Sequence, residues 1–172
     1  MLSQQDYFPM YTTLLEVICF PREVPTDPII RNILKSKIIK LLKEAKIDQV
    51  QDKKGKAIQG ESIIDLLQND TEVINWNDRL SGGQKKKVSL ISAILHNPGI
   101  LILDEAFVGL DERSIPLMQK MLKKYLPNTM KLVVDHHGLH NNNLGDEPFY
   151  DHHHHFANHK VVEKDDLAVR SM

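Results

Sequence analysis

A single cysteine, Cys19, stands in the 172 residues, so no intrachain disulfide can form and stability must come from packing. That usage suits a reducing compartment. No window approaches the ~18–20 consecutive apolar residues that a membrane helix needs. The opening MLSQQDYFPMYTTLLEVICF lacks both a basic start and an unbroken apolar stretch, so it does not read as a signal peptide. Excess charge is also missing. The formal net charge is −1, which gives the bulk electrostatics no pull toward nucleic acid or an anionic membrane. Internal repeats are absent. What remains is an ordinary balance of 41% apolar and 26% charged residues, enough for one globular domain with its own core.

The first eighty residues read as mainly helical after an extended start. Phe8-Pro9 and Phe20-Pro21 mark extended or turn segments, because a residue preceding proline avoids the helical region. A helix is expected from Asp27-Pro28, with Ile29, Ile30, Ile33, Leu34, Ile38, Leu41, Leu42 and Ala45 at helical spacing. QDKKGKAIQG reads as a charged loop, and Glu61 to Leu67 as a shorter helix.

The character changes at Leu80. Leu80-Ser81-Gly82-Gly83-Gln84 precedes a helix carrying Val88, Ile91, Ile94 and Leu95, which Asn97-Pro98-Gly99 stops. Ile100-Leu101-Ile102-Leu103 is a continuous apolar run, the pattern of a strand buried on both faces of a parallel sheet, and it ends in Asp104-Glu105. A helix over Ser114 to Tyr125 and a second buried strand over Lys131 to Val134 follow, closing on Asp135-His136-His137. Strand, helix, strand predicts an α/β domain with a parallel sheet.

Two of these segments carry chemistry. Glycines 82 and 83 let backbone approach a ligand, and the helix start behind them offers unpaired amides and the positive end of a dipole. Ser81 can cap that helix or donate to a phosphate oxygen. Taken alone, the segment is equally a flexible loop ahead of a helix. Asp104 and Glu105 place two carboxylates at the carboxyl end of a strand, where α/β sheets bind ligands. Such a pair suits Mg²⁺ and activation of a water toward a phosphoryl group. Taken alone, it is equally a solvated acidic turn.

In combination these pieces resemble the ATPase domain of the ABC transporter family. The likeness covers LSGGQ at 80–84, the aliphatic Asp-Glu twenty residues beyond Gln84, Gly109-Leu110-Asp111, and the strand closing on His136. In that family they are the signature, Walker B, the D-loop and the switch histidine. Leu2-Ser3-Gln4-Gln5-Asp6-Tyr7 resembles its Q-loop, with Gln4 best placed as the metal- and water-contacting glutamine. The resemblance implies ATP with Mg²⁺ as cofactor, Asp104 and Gln4 toward the metal, and Glu105 polarising the attacking water. His136 would contact the γ-phosphate. Ser81, Gly82, Gly83, Gln84 and Asp111 would face a nucleotide. Asn75-Trp76-Asn77-Asp78-Arg79 and Tyr11-Thr12-Thr13-Leu14 resemble the branch of peroxisomal fatty-acyl transporters and SbmA/BacA-type peptide importers. Trp76 is equally an ordinary core aromatic.

One family element has no counterpart. GxxGxGK[ST], whose amides cradle the phosphates, is absent, and Gly55-Lys56 lacks its flanking residues. The expected fold is therefore α/β, a partial P-loop NTPase fold of ABC type. It joins a helical subdomain to half of the parallel-sheet core, without the Walker A strand. The expected divisions are 1–79 for the Q-loop and helical subdomain, 80–165 for the signature half of the core, and 166–172 for a tail. The chain reads as a truncated product, inactive alone, or as a half-domain completed by a Walker A-bearing ATPase domain. An apolar sheet edge is expected to be left open. Expected partners are ATP and the transmembrane domain of a transporter, at the cytoplasmic face of a membrane. No nucleic acid is expected: an SMC-type DNA-associated ATPase would show long heptads, and none appears.

Further alternatives are a non-catalytic module that binds a transporter partner and a metal-handling protein. Eight of nine histidines fall between 136 and 159, but no cysteine accompanies them and consecutive histidines splay. His152 to His155 read as a polar turn before a last strand, Phe156 to Val162. Lys85-Lys86-Lys87 reads as a solvated helix face. Asp135 stands where the family favours a small residue, and His137 is a second candidate for the switch.

Overall fold

The structure, a computed structural model, describes residues 8–47, 49–51, 57–134, 149–152, 154–157 and 160–163. It divides into two units, Met1–Gly138 and Leu139–Met172. In the first unit, helix α1 (Leu14–Cys19) is short and apolar nearly all round, and Leu14, Leu15, Val17, Ile18 and Cys19 are buried. A capping box starts it. The Thr13 hydroxyl accepts from the Glu16 amide at 3.3 Å, and a Glu16 carboxylate oxygen accepts from the Thr13 amide at 2.7 Å.

Helix α2 (Pro28–Glu44) begins as its sequence dictates. Pro28 opens the first turn, and Asp27 Oδ1 accepts from the amides of Ile29 and Ile30 at 2.8 and 3.0 Å. Its buried side chains are Ile38, Leu41 and Leu42, followed by Ala45. Ile29, Ile30 and Ile33 are instead exposed, so the apolar stripe meets the core only over the second half of the helix.

Strands β1 (Gln49–Gln51) and β2 (Ala57–Ser62) pair antiparallel where a charged loop was expected. Backbone pairing needs no apolar side chains, and the lysines that suggested a loop, at 53, 54 and 56, all fall between the two strands in the sequence. Glu61 and Ser62 therefore belong to β2, and helix α3 (Ile63–Asn69) starts after them with Ser62 as its cap. Asp70 ends α3 in the left-handed conformation. Its carboxylate, nearly buried, pairs with Arg31 and lies 3.4 Å from Lys35, tying α3 to α2.

Helix α4 (Trp76–Arg79) is one turn, capped by Asn75. Helix α5 (Gly82–His96) follows and ends on Asn97, left-handed at φ 45°. It packs against α1, α2 and α6 (Ser114–Tyr125), burying Val88, Leu90, Ile91 and Ile94. Strands β3 (Ile100–Asp104) and β4 (Met130–Val134) flank α6 and pair parallel, from Ile100 opposite Met130 to Asp104 opposite Val134. The βαβ grammar is thus realised at the expected positions.

Neither strand is buried on both faces. Leu101 and Leu103 point into the core, whereas Ile100, Met130, Leu132 and Val134 are 62%, 67%, 55% and 40% exposed. No described element of this unit covers that apolar face. The second unit holds β5 (His154–Ala157) and β6 (Lys160–Glu163), an antiparallel pair rather than one strand from Phe156 to Val162.

The carboxyl ends of α2 and α6 are joined through Glu44, which accepts from Lys124 Nζ at 2.9 Å and from the Tyr125 hydroxyl at 2.7 Å. These hydrogen bonds, Lys124 first, hold the Glu44 carboxyl below its ordinary range. A carboxyl lowered by folding contributes stability above its unfolded value and loses it as pH falls through the folded one. Wild-type protein should therefore lose stability below about pH 4.5 more steeply than Glu44→Gln. Urea midpoints measured from pH 3 to pH 7 check this.

Candidate functional site

Ser81 sits at the start of α5 in an extended conformation, and its hydroxyl accepts from the Gln84 amide at 3.4 Å. Gln84 Oε1 in turn accepts from the Ser81 amide at 3.1 Å. This reciprocal pair explains a buried glutamine at the end of LSGGQ: it holds the turn in shape. Ser81→Ala should cost about 1 kcal/mol of stability, whereas Ser81→Asn keeps a capping oxygen and should cost only a few tenths. Thermal melts separate the two.

Gly82 and Gly83 behave differently from the residues around them. A Cβ built on Gly82 meets nothing within 4 Å, and on Gly83 it lies 3.6 Å from the Gly109 carbonyl oxygen, an ordinary contact. The fold of this chain demands neither glycine. Their effect is to leave the first turn of α5 bare, with helix-start amides beneath it. Gly109 is glycine for a backbone reason, since its φ is +85°.

At the carboxyl end of β3, Asp104 stands opposite Val134 in register and is half-buried. Glu105 follows at φ +47°, left-handed and costly for a residue with a Cβ. Its amide donates to the Val134 carbonyl at 2.9 Å, so the ladder continues to Glu105 while the chain turns away. The two carboxylates leave the strand end in different backbone conformations.

Asp111 caps α6. Its Oδ1 accepts from the amides of Arg113 and Ser114 at 3.1 and 2.9 Å, and Oδ2 from the Ser114 hydroxyl at 2.6 Å. The Ser114 hydroxyl is the main reason its carboxyl is held below the usual range. The spacing Asp-x-x-Ser ahead of a helix could have been read as this cap from the sequence. The structure therefore brings Gly83 against Gly109 and sets Asp111 near α5. Gln4, Asp135, His136 and His137 lie outside the described residues.

The segment ahead of the signature has a packing role. Trp76 is buried, and its indole N–H donates to the Thr12 carbonyl at 2.7 Å. Asn77 Nδ2 donates to the Phe8 carbonyl at 3.3 Å, and Thr12 bridges Ile74. Trp76 is thus a core aromatic that fixes residues 8–12 beside α4. Lys85, Lys86 and Lys87 are all half-buried, which corrects the expected solvated face.

Residues 3–108 match the family model described as ABC transporter. The chain belongs to the ABC transporter family. Among its relatives, ABC transporter B family member 13 of Arabidopsis thaliana is 37% identical over 94 residues, 54% of this chain and 8% of that protein. Aliphatic sulfonates import ATP-binding protein SsuB 1 of Rhodococcus jostii (strain RHA1) is 44% identical over 63 residues, 35% of this chain and 26% of that protein. This ABC transporter chain thus spans only a small part of the length of these relatives. A solved structure of a bacterial Atm1-family ABC exporter with ATP bound superposes with a TM-score of 0.50 at 22% identity. It covers 77% of this chain and 20% of that one. That likeness supports the fold, a two-stranded parallel sheet with helices of ABC ATPase type. No helix among the described residues is long and apolar enough to cross a membrane.

Proposed function

We propose that this chain supplies the signature-bearing half of an ATP site in an ABC transporter, coupling ATP binding and hydrolysis to transmembrane transport. The observation that carries this reading is the carboxyl end of β3. Glu105 is held in a left-handed backbone beside Asp104, and the loop that follows packs Gly109 against Gly83 of the signature. Strain of that kind at a carboxylate is retained where geometry serves chemistry.

In this reading the bare first turn of α5 admits a nucleotide phosphate, Ser81 donates its hydroxyl, and the helix-start amides add their dipoles. Glu105 orients the attacking water and accepts its proton. Asp104, a half-buried oxygen donor at the strand end, fits a hard cation, and with Gln4 it would hold Mg²⁺, whose charge neutralises the phosphates. His136 would contact the γ-phosphate. Asp111 acts by setting the start of α6. The 172 residues contain no GxxGxGK[ST], so the phosphate cradle comes from another segment or another chain. Two copies of these residues would bring two signatures and no cradle, and are expected to be inactive.

Exposed Ile29, Ile30 and Ile33 on α2 give an apolar surface suited to a protein partner, and the transmembrane domain is the partner proposed. The protein would then work at the cytoplasmic face of a membrane. A direct test mixes the chain with an ABC ATPase domain that carries Walker A. Association is expected only with ATP, and Ser81→Glu, which sets a negative charge against the phosphates, should abolish it. Association that ignores both nucleotide and the substitution would favour a non-catalytic module instead.

A further inference from the structure

Lys87, the third of three consecutive lysines, has a polar partner across the fold. Its Nζ donates to the Ala45 carbonyl at 3.1 Å. Ala45 is the residue that ends α2, where unpaired carbonyls and the negative end of the helix dipole favour a cation. Burial pushes the Lys87 amine below its ordinary pKa, Asp111 pushes it back up, and Lys46 lowers it further. The same coupling helps to hold the Asp111 carboxyl down.

Helix geometry places this lysine usefully. Gly83 and Lys87 are four residues apart and so share a face of α5. A Cβ on Gly83 would lie 3.6 Å from the Gly109 carbonyl oxygen, and one turn on, Lys87 interacts electrostatically with Asp111. The Gly109–Asp111 loop thus lies along that face, and the ammonium of the same face reaches the α2 terminus. We propose that Lys87 is a positioning residue. Its ammonium, anchored on the carboxyl end of α2, keeps the Gly109–Asp111 loop seated against the first two turns of α5. Signature turn, loop and α2 would then move as one body, which is its meaning for the site if the ATP reading holds.

The test uses the full chain without nucleotide, so its outcome is independent of that reading. Backbone hydrogen exchange is compared in wild type, Lys87→Met and Lys87→Arg. Lys87→Met is expected to speed exchange at Leu110, Arg113, Ser114 and Ile115 by about tenfold relative to the amides of α5, the scale of coupling between neighbouring groups. Lys87→Arg, which keeps charge and donors, is expected to restore protection. Unchanged exchange there, an equal rise throughout the chain, or no rescue by arginine would overturn the proposal. Should Lys87→Met fail to fold, the Lys87 ammonium is titrated by NMR in wild type and Asp111→Asn. Its midpoint is expected to drop in Asp111→Asn, and an unmoved midpoint would overturn the proposal. Failure of nucleotide-dependent association with this coupling intact would count against the ATP reading alone.

Discussion

Glu105→Gln is expected to reduce ATP turnover of the completed site by at least about a hundredfold while leaving nucleotide binding intact, because general-base catalysis contributes about 10²- to 10⁴-fold. The substitution is nearly isosteric and leaves the backbone amide free to keep its 2.9 Å bond to Val134. Binding should persist because, in the proposed reading, the phosphates would be held elsewhere: by the bare turn at Gly82 and Gly83, by Ser81, and by a cradle from outside these residues. Steady-state turnover and equilibrium nucleotide binding, measured on the same assembled preparation, separate the two effects. A matching loss of both would move Glu105 from the chemistry to the binding of nucleotide. The left-handed conformation makes a further comparison informative. Glu105→Gly would relieve the backbone strain at φ +47° and so should stabilise the chain slightly while removing the carboxylate. A residue that costs stability where it stands, and whose removal costs turnover, is the expected signature of a functional position.

Trp76→Ala is expected to have the largest effect on stability, about 3–5 kcal/mol. A domain has only about 5–15 kcal/mol in total, so this variant would be marginal or unfolded at 37 °C. The loss has two physical parts. The indole is among the largest fully buried side chains, so its removal leaves a cavity. Its N–H also satisfies the Thr12 carbonyl at 2.7 Å, where the Ile74 amide makes only a long 3.4 Å contact. Trp76→Phe keeps most of the volume and removes the donor, and should cost about 1–3 kcal/mol. Urea unfolding of the three proteins resolves packing from hydrogen bonding. A Phe variant as damaged as the Ala variant would mean that the bond to Thr12, and not the volume, dominates.

Local chemistry made much of the fold legible in the sequence. Asp27 with Pro28, Ser81, and Asn97 ahead of Pro98 are cap and stop signals that act within a few residues, and each sits at the helix end it implied. The aliphatic runs at 100–103 and 132–134 became paired strands because few other structures accommodate them. What periodicity could not show was which apolar residues find a neighbour. Ile29, Ile30 and Ile33 share a helix with Ile38 and Leu41 but stay exposed, and Leu132 faces away from the core that Leu103 enters. The β1–β2 pair was hidden because backbone hydrogen bonds leave little trace in a polar sequence.

The site was legible as a list of residues and much less so as an arrangement. The motifs named Ser81, Gly82, Gly83, Asp104, Glu105 and Asp111, and of the polar groups only Ser81 was also read as a helix cap. Asp111 spends its carboxylate on Ser114 and Arg113, and Gln84 spends its amide oxygen on Ser81. Lys87 was indistinguishable from Lys85 and Lys86 in the sequence. Only the end of α2, 42 positions away in the chain, sets it apart.

In the proposed function these residues form one half of a composite ATP site and need a phosphate cradle supplied from outside them. Fluorescent ATP titrated into the chain alone, and then into the chain mixed with a Walker A-bearing domain whose own signature serine has been replaced, tests it most directly. The chain alone is expected to show no saturable binding up to about 1 mM, an affinity of roughly 4 kcal/mol. In the mixture, tightened binding that depends on Ser81 is expected. Stoichiometric binding by the chain alone, well below that concentration, would contradict the proposed function.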